Sequence, residues 1–263
     1  MITSTSNQQM KNISQLMKKA RVRNEQGVFV VEGKKMFAEA PREWVTQIYV
    51  SESFEVEREN SELLRDRQYE VVSDPVFKSI SDTKTPQGIL CLVKKPEYRL
   101  CELMQGTQTH LLILESIQDP GNLGTMLRTG EGAGITGIIM NRTTVDLFHP
   151  KTIRSTMGSI YRVPYVISDN LQETVAFLKQ NGTGIYAAHL KGTMQYEEPD
   201  YTKPTAFLIG NEGNGLSDTI ANLADTYIRI PMAGQVESLN AAISASLLMY
   251  ETNRQRRASG LQK

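Results

Sequence analysis

Three stretches of the chain place glycines next to polar side chains that could hold a ligand. They are IQDPGNLGTMLRTGEGAG from Ile117, FLIGNEGNGLS from Phe207 and IPMAGQVESLN from Ile230. Glycine lets the backbone approach a ligand closely, and an arginine carries a permanent positive charge. None of the three stretches contains a histidine or a cysteine, so the side chains that most often serve as general bases are missing from them.

Each stretch also has an ordinary structural explanation when it is taken alone. Arg128 lies a turn and a half along a helix that begins near Asn122 and could be a solvated helix arginine. The glycines of the second stretch could form a plain strand–turn–helix corner capped by Asn214 or Ser217. Ser238 could serve only as the cap of the long apolar helix that follows it. A functional site therefore requires that the three stretches meet.

The second half of the chain alternates apolar strands with helices, which predicts a parallel sheet covered on both faces. The predicted strands are His110–Glu115, Gly137–Met140, Val163–Ile167, Gly184–His189, Ala206–Ile209 and Thr226–Ile230. Helices are predicted at Asn122–Ala133, Leu171–Asn181 and Leu216–Leu223. Ligands bind beyond the carboxyl ends of the strands in such sheets. The functional loops are therefore expected at Ser116–Gly121, Gly210–Gly215 and Pro231–Glu237.

The first hundred residues predict a separate, small α/β unit. Strand signals fall at Val28–Val31, Gln47–Val50, Glu70–Val72 and Gly88–Val93. Helix signals fall at Glu32–Ala40, at Glu59–Arg67, and from a capping Asp74 to about Ile80. The alternation breaks within Lys94–Thr109. We therefore expect an N-terminal domain at 1–98, a linker at 99–108 and a second domain at 109–263.

The composition is that of an ordinary globular protein. Its 29 basic and 29 acidic residues give a net charge of zero, which argues against strong non-specific binding to nucleic acid. Cations without acids do gather at both ends of the chain, and either solvated termini or a nucleic-acid-facing surface would explain them. These cations are Lys11, Lys18, Lys19, Arg21 and Arg23, and then Arg254, Arg256, Arg257 and Lys263.

The chain shows no sign of a membrane or secreted protein. It has no apolar run of eighteen residues and no apolar signal segment at its start. Cys91 and Cys101 have no partners at zinc-ligand spacing and are typical of reduced thiols in the cytoplasm. We therefore expect a cytoplasmic protein without a metal site.

Gly132, Gly134 and Gly137 match the dinucleotide pattern G-x-G-x-x-G. That pattern binds a pyrophosphate only when it follows a strand and begins a helix. Here it follows a predicted helix and precedes a predicted strand, so these glycines are interpreted as a helix end with close packing.

Taken together, the three stretches resemble the SpoU family, which comprises S-adenosylmethionine-dependent RNA ribose 2′-O-methyltransferases of the SPOUT class. The resemblance rests on Asn122 with Arg128, on Gly-Asn-Glu-Gly at 210–213, and on Ile-Pro-Met at 230–232 with Ser-Leu-Asn at 238–240. It covers about Leu111 to Glu251. Residues from about Lys11 to Val93 resemble the ribosomal-protein-like RNA substrate-binding domain of several family members.

The resemblance implies an α/β fold in which a small N-terminal α/β domain precedes a parallel-sheet α/β/α domain with a deep trefoil knot. It also implies that the knot loops bind S-adenosyl-L-methionine, largely through backbone groups. The cofactor-binding residues carried over in this way are Leu208, Gly210, Asn211, Gly213, Ile230, Met232 and Leu239. Leu208 and Met232 among them would form apolar walls.

The resemblance assigns the central catalytic role to Arg128, which is often described as a base. A guanidinium keeps its proton above pH 12, so we expect Arg128 to grip the target phosphate and to offset charge on the 2′-oxygen. The supporting residues carried over are Asn122, Glu212, Ser238 and Asn240. Gly130 and Gly132 stand where many members have alanine or another small residue, a departure that would loosen the Arg128 helix but leaves all of the motifs intact.

Two partners are expected. One is ribosomal or transfer RNA, whether the protein is a methyltransferase or, alternatively, a non-catalytic RNA-binding or ribosome-assembly protein. The other is a second copy of the chain, because the last helix is apolar on two faces. Leu239, Ile243, Leu247 and Tyr250 form one face, and Ala241, Ala245 and Leu248 form the other. One face should pack on the protein's own sheet and one on a partner subunit.

Overall fold

The computed structural model describes residues 1–261 as two units of alternating helices and strands. The helices are α1 Gln8–Lys18, α2 Ala20–Gln26, α3 Lys34–Glu39, α4 Glu52–Val56, α5 Asp74–Ile80, α6 Leu100–Leu103, α7 Pro120–Ala133, α8 Pro150–Thr156, α9 Leu171–Gln180, α10 Asp218–Ala221 and α11 Ala241–Ala258. The strands are β1 Val28–Glu32, β2 Val45–Ser51, β3 Glu70–Val72, β4 Ile89–Lys94, β5 His110–Leu114, β6 Gly137–Asn141, β7 Tyr165–Ser168, β8 Gly184–Ala188, β9 Met194–Gln195, β10 Thr205–Ile209 and β11 Thr226–Arg229.

The first unit comprises Met1–Pro96 together with Asp146–Tyr161. Its sheet has the order β1-β4-β2-β3, with β4 antiparallel to both neighbours and β3 parallel to β2. The apolar sides of α1 and α5 pack with residues of this sheet in one core. That arrangement buries the hydrophobic stripe of each helix and explains why both form despite their modest length.

The segment Asp146–Tyr161 leaves the second half of the chain and packs with the first unit. Arg23, which is 2% exposed, donates hydrogen bonds to the Asp146 carboxylate and to the carbonyl oxygens of Leu16 and Met17. The Tyr161 hydroxyl donates to the Met36 carbonyl oxygen at 3.0 Å. These bonds satisfy a buried guanidinium, and they fix this segment to the helices before and after β1.

The second unit is built on a seven-stranded sheet in the order β7-β6-β5-β10-β8-β11-β9, with all neighbours parallel. Residues of β5, β8 and β10 form a core with α9 and α10. Strands β5 and β10 are neighbours, and Leu114 at the carboxyl end of β5 pairs with Ile209 at the carboxyl end of β10. The loops that follow the two strands therefore emerge side by side. The sheet therefore provides the placement that a shared site requires.

The strands predicted from the sequence are all present, but several local predictions are wrong. Glu59–Arg67 forms no α-helix: a 3-10 turn at Arg58–Asn60 is followed by turns, and the Asn60 amide donates to the Phe54 carbonyl oxygen. Asp74 is the first residue of α5, not its cap. Helices α1, α2, α4 and α8 were not predicted from the sequence, and the region 99–108 contains α6.

The glycines of the apparent dinucleotide pattern have the structural role expected for them. Gly134 ends α7 with φ at 78°. Gly137 begins β6, and a Cβ there would lie 2.3 Å from the Leu103 Cγ. The pattern therefore serves a helix end and a close helix–strand contact.

Two of the terminal cations are buried, which contradicts a shared nucleic-acid-facing surface for them. Arg23 is described above, and Arg256 is 1% exposed. The Arg256 guanidinium donates to the carbonyl oxygens of Gln108, Thr109, Tyr201 and Lys203. It therefore holds the end of α11 to the starts of β5 and β10. Arg254 pairs with Glu251, Arg257 donates to Asn253, and Lys263 lies outside the described residues.

No helix in the described part of the chain is long and apolar enough to span a membrane. No group of His, Cys, Asp and Glu side chains within residues 1–261 is arranged to hold a metal ion. Both cysteines are free, with Cys91 buried and Cys101 exposed.

Candidate active site

The glycine-rich loop after β10 folds back on itself. The Asn211 amide donates to the Gly215 carbonyl oxygen at 3.0 Å, and the Gly215 amide donates to the Asn211 carbonyl oxygen at 2.9 Å. The Asn211 side-chain oxygen accepts from the amides of Gly213 and Asn214. Gly210 permits this closure, because a Cβ there would lie 2.1 Å from the carbonyl carbon of Gly215. The loop is thus closed by its own backbone.

Glu212, at the tip of this loop, holds the loop after β5. Its carboxylate accepts from the amides of Gln118 at 2.9 Å and Asp119 at 3.1 Å, and from the Asn122 side chain at 2.9 Å. Burial by itself would raise the pKa of Glu212, but the bonds from the Asn122 side chain and two backbone amides outweigh it, and the pKa is lowered. Glu212 is therefore an ionised clamp at neutral pH, not a general base.

Asn122 links the clamp to the third stretch. Its side-chain oxygen accepts a hydrogen bond from the Asn240 Nδ2 at 3.0 Å. The Asn240 Oδ1 in turn accepts from the amides of Ala242 and Ile243, so Asn240 caps α11. One chain of hydrogen bonds therefore joins Glu212, Asn122 and Asn240, and the predicted convergence of the three stretches is observed.

The cap of α11 is Asn240, so the suggestion that Ser238 caps this helix is wrong. Ser238 is exposed and makes no hydrogen bond within residues 1–261. The two polar residues at the start of α11 therefore differ: Asn240 caps the helix and bonds to Asn122, whereas Ser238 is free to contact a ligand.

Three residues that the sequence did not single out support these loops, although Ser116 lies in a loop expected to be functional. The Asn141 side-chain oxygen accepts a hydrogen bond from the backbone N–H of Ser116 at 3.0 Å. The Ser116 carbonyl oxygen accepts one from the side-chain NH₂ group of Asn211 at 2.8 Å. Ser116 has φ at 58°, a left-handed conformation that is uncommon outside glycine. The Glu115 carboxylate accepts from the amide and hydroxyl of Ser217. Their positions were the available signal, because Asn141 is the last residue of β6 and Glu115 and Ser116 directly follow β5.

Arg128 lies on the solvent side of α7. Leu123, Met126 and Leu127 on the same helix are buried, whereas Arg128 is exposed. It makes no hydrogen bond or ion pair with any residue from 1 to 261, so its guanidinium is free to meet an anionic ligand. The Glu212 clamp fixes the N-terminal end of α7, and with it the position of the Arg128 backbone.

The predicted cofactor residues differ in how much surface they offer. Ile230, Met232 and Leu239 are half-buried, as are Gly210 and Asn211, and Gly213 is exposed. Partly exposed apolar side chains beside loop backbone suit a nucleoside with polar edges, so these residues fit the predicted cofactor. Leu208 does not offer such a wall: it is 0% exposed and belongs to the core of the sheet.

Comparison with known proteins agrees with this geometry. A family model described as the SpoU rRNA Methylase family matches residues 109–250, more than half of the chain. This chain belongs to that family. A second model, described as an MRM3-like substrate binding domain, matches residues 7–91.

The relatives extend over nearly the whole chain. It is 33% identical over 251 residues to the 23S rRNA (guanosine(2553)-2′-O)-methyltransferase RlmP of Bacillus subtilis, a match covering 95% of this chain and 97% of that protein. The SpoU methyltransferase AviRb from Streptomyces viridochromogenes, in complex with AdoMet, has a TM-score of 0.87 at 27% identity over 96% of this chain and 99% of its own. An AdoMet-bound rRNA methyltransferase from Sinorhizobium meliloti has a TM-score of 0.85 at 30% identity, covering 96% and 97% of the two chains.

The predicted family, fold class, enzyme class and cofactor are thereby confirmed. This member of the SpoU family is an S-adenosylmethionine-dependent RNA ribose 2′-O-methyltransferase. The individual roles of the site residues stay predictions.

Replacing Glu212 with glutamine should weaken binding of S-adenosylmethionine about tenfold. The amide can accept through only one oxygen, so the charge-assisted bonds to the loop after β5 are lost or rearranged. Isothermal titration calorimetry measures the effect, and Glu198→Gln, on an exposed residue, is the matched control. Equal affinity in both variants would show that the clamp does not shape the cofactor loops.

Proposed function

We propose that this methyltransferase modifies the ribose of a guanosine in 23S rRNA. The observation that carries the proposal is the match to the Bacillus subtilis RlmP, which spans both the substrate-binding and the catalytic regions at 33% identity. The two family models fall on the corresponding parts of the chain, residues 7–91 and 109–250. A substrate shared with that relative would require both regions, as RNA selection and methyl transfer are separate tasks.

In the proposed mechanism the ribose 2′-oxygen would attack the methyl carbon that S-adenosylmethionine supplies as an electrophile. An O–C bond would form as the C–S bond breaks, S-adenosylhomocysteine would leave, and the hydroxyl proton would pass to water. The 2′-hydroxyl is a poor nucleophile at neutral pH. Arg128 would hold the adjoining phosphate through two N–H groups and offset the charge that develops on the 2′-oxygen. Asn122, Glu212 and Asn240 would keep α7 and the cofactor loops in register, and Ser238 would contact a ligand directly.

Mass-spectrometric mapping of ribose methylation tests the proposed substrate. RNA from cells with and without the gene should differ at one 2′-O-methylguanosine in 23S rRNA, and the purified enzyme should restore it on unmodified transcript. Unchanged 23S rRNA methylation together with a missing ribose methyl group in transfer RNA would overturn the proposed target while leaving the enzyme class intact.

We also propose that the enzyme is a homodimer joined through α11. The buried side of α11 packs mainly on α7 and to a lesser extent on β10. The sequence had predicted that this side would pack on the sheet. Its other side carries Ile243 and Tyr250, each 49% exposed, with Leu247 half-buried between them. Such an apolar stripe on a two-sided helix supports a second subunit as its cover.

Substitution of Ile243 and Tyr250 by aspartate should convert the dimer into a monomer. Each subunit would bring two carboxylates without partners into the interface, and the cost of burying them exceeds the free energy gained by covering the apolar stripe. Analytical ultracentrifugation at micromolar concentration provides the measurement, and Phe177→Asp, at a 41% exposed apolar residue of α9, is the control. A wild-type protein that sediments as a monomer would refute the dimer.

The proposed function also implies a division of the chain into domains, a knotted catalytic domain and a cellular location. Residues 1–98 would act as the RNA substrate-binding domain, 99–108 as a linker and 109–263 as the methyltransferase domain, although Asp146–Tyr161 packs with the first unit. The bond between Asn240 and Asn122 brings the start of α11 next to the first turn of α7, and this proximity supports the proposed deep trefoil knot. Action on ribosomal RNA supports a cytoplasmic location.

A further inference from the structure

A second set of hydrogen bonds, separate from the Glu212 clamp, joins the loops after β5, β6 and β10. Its centre is Asn141, the last residue of β6, which is partly buried. The Asn141 Oδ1 accepts from the backbone N–H of Ser116 at 3.0 Å, and from the backbone N–H and hydroxyl of Thr144 at 3.1 and 2.9 Å. The Asn141 Nδ2 donates to the Ser116 Oγ at 3.1 Å. One side chain therefore ties the loop after β6 to the loop after β5.

Ser116 has a backbone conformation that a serine rarely adopts. Its φ is 58°, in the left-handed region where residues other than glycine are strained. The Ser116 N–H donates to Asn141, and its hydroxyl lies 2.6 Å from the Thr143 Oγ1. The Ser116 carbonyl oxygen accepts from the side chains of Asn211 and Gln118 at 2.8 and 3.0 Å. These bonds hold a conformation that is otherwise unfavourable, and such residues gather where a site needs a defined geometry.

Asn211 carries this geometry into the glycine-rich loop after β10. Its Nδ2 donates to the Ser116 carbonyl oxygen, and its Oδ1 accepts from the backbone N–H groups of Gly213 at 2.9 Å and Asn214 at 3.1 Å. The next residue, Glu212, binds backbone N–H groups further along the loop after β5. The two loops are therefore attached at two points, and the direction of the Ser116 carbonyl group sets one of them.

The attachment through Ser116 depends on Asn141. Without the Asn141 side chain, both the N–H and the hydroxyl of Ser116 lose a partner, and φ can relax toward the favoured negative values. That rotation would turn the Ser116 carbonyl group away from Asn211. Glycine at position 116 would remove the strain, because glycine adopts positive φ at no steric cost. The need for Asn141 should therefore be smaller when position 116 is glycine.

We propose that Asn141 is a positioning residue for the methyl-transfer site. It holds Ser116 in the left-handed conformation, Ser116 places Asn211, and Asn211 places the loop Gly210–Gly215 for S-adenosylmethionine. Asn141 itself touches neither the cofactor nor the RNA. The proposal rests on the predicted cofactor-binding role of that loop, and it does not depend on which RNA is methylated.

Calorimetry with S-adenosylmethionine on the full-length enzyme is the first test. Asn141→Ala should weaken binding about tenfold, the order expected when hydrogen bonds that hold one geometry are lost. Asn141→Asp should stay within about threefold of wild type, because a carboxylate accepts the same backbone N–H bonds and can accept from the Ser116 hydroxyl. The matched control is Asn170→Ala, which removes the side-chain bonds that cap α9 just after the neighbouring strand β7.

A comparison of two backgrounds tests the connection through Ser116. In Ser116→Gly, the further change Asn141→Ala should weaken cofactor binding only about threefold. Equal effects of Asn141→Ala in both backgrounds would overturn the proposal, as would an Asn141→Ala enzyme that binds the cofactor as tightly as Asn170→Ala. Urea unfolding checks that each variant is folded. Asn141→Leu, of similar size but without polar atoms, replaces Asn141→Ala if that variant does not fold.

Kinetics on RNA from cells without the gene separate positioning from contact with the substrate, since this RNA contains the unmodified target whatever its identity. Asn141→Ala should raise the KM for S-adenosylmethionine about tenfold and leave the KM for RNA within about twofold. A raised KM for RNA with unchanged cofactor affinity would indicate direct RNA contact and overturn the proposal. Glu212→Gln is measured alongside. If it weakens cofactor binding and Asn141→Ala does not, the positioning role fails while the cofactor role of the loop stands.

Discussion

Replacement of Arg128 by alanine should lower kcat about 10² to 10³-fold while leaving the affinity for S-adenosylmethionine within about threefold. The loss corresponds to removal of one strong donor from a developing negative charge. Arg128 is exposed and bonded to no residue within 1–261, so the substitution removes no structural contact and should not unfold the protein. Single-turnover methyl transfer to a 23S rRNA transcript measures the effect, and Arg142→Ala, at an exposed arginine that pairs with Asp169, is the control.

Arg128→Lys separates the two roles that have been considered for this residue. If Arg128 acted as a base, lysine should work at least as well and improve with rising pH, because an ammonium loses its proton near pH 10.4 and a guanidinium does not. If Arg128 grips a phosphate through two parallel bonds, lysine should fail nearly as badly as alanine, since it lacks the planar fork. We expect the second result. Full activity of Arg128→Ala would remove the residue from the mechanism.

The sequence predicted the sheet well because strands leave a short-range signal. Each apolar run between turn residues, such as the one ending at Ile209, became a strand within one or two residues of its predicted bounds. The convergence of three loops followed from one topological rule, that ligand sites lie beyond the carboxyl ends of parallel strands. The order and spacing of the family motifs then supplied the chemistry that the rule leaves open.

Long-range burial of polar groups could not be predicted in the same way. Arg23 and Arg256 stand among other cations in the sequence, and nothing local distinguishes them from solvated residues. Their burial depends on carbonyl groups and carboxylates that are distant in the chain, such as Asp146 for Arg23. The Glu212 clamp has the same character, because its partners lie about ninety residues away. Leu208 shows the opposite error, in which a predicted ligand wall proved to be core.

Gly210→Ala should lower the free energy of unfolding by about 2 to 4 kcal/mol and abolish measurable cofactor binding. The added Cβ would lie 2.1 Å from both the Gly215 carbonyl carbon and the Leu216 nitrogen. These are backbone atoms of a loop closed by two hydrogen bonds between Asn211 and Gly215, so neither side can move without opening it. Urea unfolding and calorimetry with S-adenosylmethionine give the two quantities.

Gly213→Ala, three residues along the same loop, is the matched control. A Cβ there would meet only the Asn211 Oδ1, at an ordinary 3.5 Å, so stability should change by less than about 1 kcal/mol. Weakened cofactor binding in this stable variant would support direct contact between Gly213 and the cofactor. If Gly210→Ala were as stable as Gly213→Ala, the loop would have room to relax, and its closed shape could not be the reason for glycine at position 210.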